Sequence, residues 1–182
     1  MAKIGANHPC FLKEGAEEGI VLGKLVAANE TLNFAKADLY ADDALTEQYN
    51  AFTDGALAVE QDDMTNEVSA ALFGATLDED GELSNNTADD PPLGSFSYYK
   101  AGMRNKARYY QGVYYPQVQA VVSGTNAQTK GSSMSFQTTS FTLTIFADET
   151  GEYRKFSDTF ETEAEARAWV DEKCAIETVP AG

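Results

Sequence analysis

A strand followed at once by a helix, within residues 39–74, is the feature that most constrains how this chain folds. Residues 49–61 alternate small or polar residues with larger apolar ones, as a strand with one buried face does. The larger apolar residues are Phe52, Leu57 and Val59. Residues 64–73 then carry apolar side chains at helical spacing and are followed by Gly74, which is typical of a helix end. The segment therefore predicts a strand, a short amphipathic helix and a sharp stop.

Two aspartates stand between the predicted strand and the predicted helix. A carboxylate placed just before a helix accepts backbone N–H bonds that have no partner inside the helix. We therefore expect Asp62 and Asp63 to cap it. Upstream, residues 37–48 are poor in apolar side chains and rich in acidic ones, which indicates a loop leading into the strand.

Outside this segment the sequence alternates between strand patterns and turn signals. Residues 77–93 are crowded with Asp, Asn, Gly and Pro, which predicts an exposed loop with a short hairpin at its Asp80-Gly81 pair. A second loop is predicted over residues 123–131. The further strands are predicted over residues 20–34, 95–103, 107–122, 133–147 and 152–160, with turns near residues 104–106 and 148–151.

A second helix is predicted near the C-terminus, over residues 163–174. Thr162 and Glu165 have the spacing of a capping box, in which each residue satisfies a backbone N–H of the other. Trp169 lies on the apolar side of this helix and is expected to anchor it on a sheet.

Many strands, two short helices and no βαβ alternation favour a mainly β (α+β) fold. We expect a β-sandwich or a partly closed barrel with both helices on its flank. The length of 182 residues fits one domain over residues 1–182. Residues 1–19 are predicted to form an extended N-terminal arm, and residues 175–182 a C-terminal tail.

The charge is distributed unevenly along the chain, whose net charge is −16. Residues 1–92 carry 19 acidic and 4 basic side chains, whereas residues 93–182 carry 10 acidic and 9 basic ones. No acidic residue occurs between Asp90 and Asp148, an interval that holds Lys100, Arg104, Lys106, Arg108 and Lys130. This pattern is compatible with an ordinary solvated surface or with complementary patches that meet head to tail between copies. Stable binding of nucleic acid is not expected, because the overall charge repels a polyanion.

Catalytic chemistry is hard to build from this sequence. The only histidine, His8, lies beside Pro9 in the predicted arm, and the chain has no phosphate-binding loop, dinucleotide fingerprint or nucleophile elbow. Cys10 and Cys174 stand near opposite ends and are expected to be thiols, so that no convincing zinc set emerges. We predict a protein that is not an enzyme and uses no metal or cofactor.

Three spaced motifs resemble the major tail protein of long-tailed bacteriophages with non-contractile tails. They are Leu39-Tyr40-Ala41-Asp42-Asp43-x-Leu45, then Phe52-x-x-Gly55-x-Leu57, then Asp62-Asp63-x-x-x-Glu67-Val68-x-x-x-Leu72-Phe73-Gly74. The likeness continues through the tyrosine-rich strands and the segment before the second helix, and so covers most of the chain. The resemblance implies a tail tube fold and a virion structural protein that self-assembles into stacked, hexameric rings, which form the tail tube through which DNA passes.

The resemblance also implies partners and contact residues. The subunit would contact copies of itself in hexameric rings, together with tape measure and tail terminator proteins, and would meet DNA only in passage through the tube. It would be assembled in the bacterial host cytoplasm and reside in the virion tail, with no membrane anchor. The inter-subunit contacts would involve Leu39, Tyr40, Asp42, Asp43, Phe52, Lys100, Arg104, Lys106 and Arg108.

Two other functions remain open at this point. One is the inner tube of a contractile tail or of a phage-derived injection particle, which shares the tube fold by the same resemblance. The other, from a different class, is a monomeric β-sandwich module whose exposed tyrosines bind a ligand.

Overall fold

The computed structural model describes residues 2–41, 44–122 and 138–177. Ten strands and two helices occur in these ranges. The strands are β1 (Ala2–Lys13), β2 (Ile20–Val21), β3 (Leu25–Ala41), β4 (Ala44–Gln61), β5 (Thr76–Leu77), β6 (Leu83–Ser84), β7 (Leu93–Arg104), β8 (Ala107–Val121), β9 (Thr139–Phe146) and β10 (Lys155–Phe160). The helices are α1 (Asn66–Phe73) and α2 (Glu163–Lys173).

One antiparallel sheet contains eight of these strands. Its order is β2-β1-β7-β8-β9-β4-β3, and β10 pairs with the part of β8 that β9 does not reach. The sheet curls until β1 touches β3, but no backbone ladder joins these two strands in the described residues, so the barrel is not closed. The mainly β (α+β) fold with two short helices is therefore confirmed.

Hydrophobic clusters lie on both faces of the β1–β7–β8 part of the sheet. The inner cluster includes Phe96 and Tyr115 and extends to β4, β9 and α1. The outer cluster includes Tyr99 and Cys10 and is covered by α2. Consecutive residues of β7 therefore enter different cores, which explains why this strand is buried almost continuously.

The N-terminal segment is an inner strand rather than an arm, so the prediction of an extended arm over residues 1–19 is wrong. β1 pairs with β7 on one side and with β2 on the other. Cys10 and Phe11 are both buried, and they belong to the outer and inner clusters respectively. The sequence does not reveal this strand, because its apolar run is short and lies beside Pro9. Its partners on β7 are far along the chain, where Ser97 pairs with Cys10 and Phe96 with Phe11.

Helix α1 begins later than expected and is capped by a different residue. Its N-cap is Thr65, whose side chain accepts a hydrogen bond from the backbone N–H of Val68 at 3.3 Å. The prediction that Asp62 and Asp63 cap the helix is wrong. Asp62 Oδ1 instead accepts from the backbone N–H of Lys24 at 2.6 Å and so ties the end of β4 to the start of β3. Gly74 ends α1 in the left-handed conformation, as predicted.

Helix α2 confirms the predicted capping box, since Thr162 and Glu165 exchange both hydrogen bonds. Trp169 is half-buried and packs with the outer cluster. Its indole covers Gly112 of β8, where a side chain would collide with the ring. The indole of Trp169 and the absence of a Cβ atom at Gly112 thus set the distance between α2 and the sheet.

The predicted turns agree well with the structure. Asn105 and Lys106 both have positive φ, 52° and 66°, and join β7 to β8 in the manner of a two-residue hairpin turn. The turn at residues 148–151 is held by Asp148, whose carboxylate accepts backbone N–H bonds from Thr150 and Glu152, both at 2.9 Å. The predicted strand over residues 152–160 begins only at Lys155.

Two other predicted segments differ from the structure. The predicted strand over residues 20–34 is divided into β2 and β3, with a break at residues 22–24. Residues 37–48 were expected to be a loop, but their described part extends β3 and β4, which is a correction. Residues 42–43, the predicted loop at residues 123–131, the first part of the predicted strand over residues 133–147, and residues 178–182 of the predicted tail lie outside the described residues.

Candidate assembly surfaces

A two-stranded ribbon projects from the main sheet. β4 pairs with β9 only from Gly55 to Gln61, so residues 33–41 of β3 and 44–54 of β4 pair only with each other in the described residues. We call these two stretches the ribbon. At about 3.3 Å per residue, its nine residues of β3 reach about 30 Å. An isolated pair of strands is only marginally stable in water, so such a ribbon gains from packing against another surface.

The ribbon is acidic and carries exposed aromatic side chains. Residues 33–54 include five acidic residues and one basic residue. Tyr49 is 69% exposed and Phe34 is 49% exposed. β3 pairs only with β4, so along the described chain the other edge of this 17-residue strand has no ladder partner. Long edges with apolar side chains are sites where a further strand or subunit adds.

An aromatic cluster fixes the base of the ribbon. Phe52 stacks on Tyr153 with ring centroids 4.1 Å apart and an interplanar angle of 10°. Phe34 meets both rings edge to face, at 5.8 Å from Phe52 and 6.4 Å from Tyr153. Offset stacks and edge contacts of this kind add about 0.5–1.5 kcal/mol each beyond burial. Phe52, for which the resemblance implies an inter-subunit contact, thus packs within its own subunit.

The predicted basic block is divided between two faces of the β7–β8 hairpin. Lys100 and Arg104 lie on the inner face, because they share the strand alternation of Phe96 and Tyr98. Arg108 is opposite Met103 and lies on the outer face, and Lys106 is in the turn. Arg104, Lys106 and Arg108 are exposed, whereas Lys100 is half-buried. These residues therefore do not form one flat patch.

A second group of charges at the inner face was missed by the sequence analysis. Phe156 is flanked by two cations, with Lys100 Nζ 4.5 Å and Arg154 Cζ 4.6 Å from its ring centroid. Arg154 also forms an ion pair with Glu30 of β3. The only sequence signal was the aromatic and basic run at residues 153–156, which does not reveal the partner 124 residues earlier.

The register places the ribbon and the β7–β8 turn at the same end of the sheet. Phe146 of β9 pairs with Gln117 of β8, and the ribbon continues beyond that level in the direction of Ala107. The acidic ribbon and the basic turn are therefore not at opposite ends of the subunit. This placement disfavours a head-to-tail contact, in which the ribbon of one copy would meet the turn of a copy stacked on it. Two copies side by side would instead have the ribbon of one level with the turn of the other.

The other predicted contact residues are distributed as follows. Leu39 and Tyr40 lie in the ribbon, opposite Glu47 and Leu45 in register. Asp42 and Asp43 lie outside the described residues. The inter-subunit role of each predicted residue stays a prediction.

A cleft of about 930 Å³ lies between β2, the start of α1 and the exposed side of α2. His8, Tyr99, Glu163 and Arg167 are among its lining residues. Tyr99 donates a hydrogen bond to Glu163 Oε1 at 2.5 Å. Burial, followed by this bond to a carboxylate, raises the pKa of Tyr99 above its ordinary value.

Beneath the cleft, His8, Cys10 and Asp171 bring an imidazole, a thiol and a carboxylate together. Burial is the main cause that raises the pKa of the Cys10 thiol well above its ordinary value. Cys174 lies alongside, and its thiol donates to the backbone oxygen of Cys10 at 3.5 Å. Both cysteines are free thiols. Among the described residues, this trio is the one group with the donor atoms of a metal centre.

The chain has no match among known protein families, and no curated protein matches it significantly. Neither α1 nor α2 is long and apolar enough to cross a bilayer.

Proposed function

We propose that this protein is a structural subunit of a bacteriophage tail tube, which assembles into stacked rings around a channel that conveys DNA. The single observation that carries the proposal is the ribbon, an acidic, partly apolar pair of strands that extends about 30 Å beyond the sheet and, in the described residues, pairs with no other strand. The resemblance of residues 39–74 to major tail proteins is the reason for proposing a tail tube rather than another assembly.

The ribbon supports assembly because its features are unfavourable in an isolated subunit. The exposed rings of Tyr49 and Phe34, and the edge of β3 that has no ladder partner along the described chain, promote association. Association between copies buries these groups and pairs the edge. In a ring the copies stand at the same level, so the acidic ribbon of one subunit meets the exposed Lys106 and Arg108 of its neighbour.

Electron microscopy and sedimentation of a shortened ribbon test this proposal. In the variant, Asn-Gly replaces residues 37–49. The dipeptide forms a two-residue turn between Lys36 and Asn50, which pair in register. We expect the natural chain to form rings or tubes and the variant to stay monomeric, with a circular dichroism spectrum that still shows a folded, mainly β protein. A natural chain that remains monomeric at all concentrations tested would favour the monomeric binding module instead.

The chain offers a matched control at its other exposed hairpin. Replacing residues 78–82 by Asn-Gly shortens the β5–β6 hairpin in the same manner, since Leu77 pairs with Leu83. This control should assemble like the natural chain. Loss of assembly in both variants would show that the effect is not specific to the ribbon.

Charge substitutions test the neighbour that the ribbon meets. The pair Lys106→Glu and Arg108→Glu should prevent ring formation at low salt, because the acidic ribbon would face like charge. The neutral pair Lys106→Gln and Arg108→Gln should weaken assembly less and reduce its dependence on salt. Equal assembly by both double variants would rule out this contact.

A further inference from the structure

The outer core contains a compact set of three different metal-binding side chains. A ring nitrogen of His8, Cys10 Sγ and a carboxylate oxygen of Asp171 all lie within 4.8 Å of one another. The side chains of His8 and Asp171 are only 10% and 6% exposed, and Cys10 is fully buried. Two separate parts of the chain supply them, β1 and the last turns of α2.

The local backbone of β1 is irregular at this point. His8 has φ of 58°, a left-handed conformation that is uncommon outside glycine, and the β1–β7 register shifts between Asn7 and Cys10. A conformation of this kind is strained and persists where the surroundings hold it. Here the His8 side chain is held by Asp171, with Nε2 and Oδ1 2.6 Å apart.

We propose that His8, Cys10 and Asp171 form a binding site for a zinc ion. Imidazole nitrogen, thiolate sulfur and carboxylate oxygen are the three donor types that zinc takes in proteins, and the thiolate disfavours magnesium and calcium. Around a tetrahedral ion, bonds of about 2.0–2.3 Å place the ligand atoms roughly 3.3–3.8 Å apart. The three side chains reach this geometry through small shifts that replace the His8–Asp171 hydrogen bond by bonds to the metal.

Charge balance also favours a divalent ion in this buried position. A neutral imidazole, one thiolate and one carboxylate together carry two negative charges, which a zinc ion neutralises, and burial penalises any net charge. Zinc binding displaces the Cys10 proton, because a coordinating thiol is deprotonated. Arg167 also brings a positive charge close to this position, since its Nε is 3.8 Å from Asp171 Oδ2; its side chain is 63% exposed and can turn into solvent.

The fourth coordination position has access to solvent. His8 lines the 930 Å³ cleft, so water or a small anionic ligand reaches the ion from that side. Three protein ligands and one open position distinguish this site from a closed structural zinc site.

Cobalt titration of the purified full-length chain tests the proposal, because cobalt reports on thiolate ligation by a charge-transfer band in the near ultraviolet. We expect saturation at one ion per chain and loss of the band when zinc is added. Cys10→Ser and His8→Gln should each weaken cobalt binding by about 100-fold or more, given that loss of a supporting outer ligand already costs about 10–100-fold. Cys174→Ser is the matched control and should bind as the natural chain does.

A measurement on the natural chain keeps the test independent of whether the variants fold. X-ray absorption at the zinc edge should show one sulfur and the remainder nitrogen or oxygen ligands. Absence of the cobalt band, absence of sulfur at zinc, or binding that is unchanged in a folded Cys10→Ser variant would each overturn the proposal and leave His8 and Asp171 as an ordinary buried pair.

Discussion

Arg154 forms an ion pair with Glu30, a residue 124 positions earlier in the chain, and thereby ties the segment before β10 to β3. Both side chains are largely buried, with relative exposures of 24% and 21%. The other carboxylate oxygen of Glu30, Oε1, is buried and has no hydrogen-bond partner among the described residues. Glu30 therefore depends on Arg154 for its charge compensation.

Arg154→Met should destabilise the fold at neutral pH. The substitution leaves the Glu30 carboxylate desolvated without its cation, and an unpaired group of this kind costs about 1–3 kcal/mol. Urea unfolding measures the loss. The double variant Glu30→Gln with Arg154→Met should recover part of it, because the buried charge is removed. Equal instability of the single and double variants would contradict the pairing.

Gly112→Ala should weaken the packing of α2 on the sheet. A Cβ atom at this position would lie 2.2 Å from Cε3 of Trp169, so the indole has to move. We expect a loss of about 1–3 kcal/mol, which is typical of overpacking. Gly5→Ala is the matched control in another strand, since its Cβ meets nothing within 4 Å. In a Trp169→Ala background the Gly112 substitution should cost much less, and an undiminished cost would exclude a collision with the ring.

Thr65→Ala should lower stability more than Asp63→Ala. Thr65 satisfies the backbone N–H of Val68 at the start of α1, and loss of such a cap costs about 0.5–2 kcal/mol. Asp63 is exposed and accepts only the backbone N–H of the next residue, Met64, at 2.8 Å. Parallel urea titrations of the two variants compare them. The reverse order would restore the aspartate as the helix cap.

The stability of the protein should fall as the pH rises above about 9 in the presence of a reductant and a metal chelator. Burial raises the pKa of Cys174 from 9.0 to about 12, so the unfolded chain loses this proton at a lower pH than the folded one. The protonated Cys174 thiol therefore contributes its full share of the folding free energy below pH 9. That contribution falls by about 1.4 kcal/mol per pH unit as the pH rises toward 12.

Cys174→Ala should flatten this alkaline decline. The measurement is the free energy of urea unfolding at several pH values between 7 and 11. Burial also raises the pKa of Cys10 and of the buried tyrosines, and these groups remain in the variant. The decline of stability with pH is therefore reduced rather than abolished. Parallel curves for the natural chain and the variant would contradict the assignment.

Local sequence patterns predicted the features that depend on neighbouring residues. The capping box of Thr162 and Glu165, the turn at Asn105-Lys106 and the helix end at Gly74 were all evident, because each needs only a few adjacent residues in a particular conformation. The cap of α1 was predicted two to three residues too early, since Asp62, Asp63 and Thr65 all suit an N-cap and the choice depends on where β3 approaches.

The sequence by itself determined that the chain is mainly β with two short helices, because alternation, turn residues and helix caps act over short distances. Only the tertiary structure decided that residues 2–13 form an inner strand, that residues 37–41 and 44–48 extend a ribbon, and that His8 and Cys10 meet Asp171. The physical reason is the same in each case. Strand pairing and side-chain clusters join residues far apart in the chain, and their free energy comes from the burial and hydrogen bonds of the folded sheet.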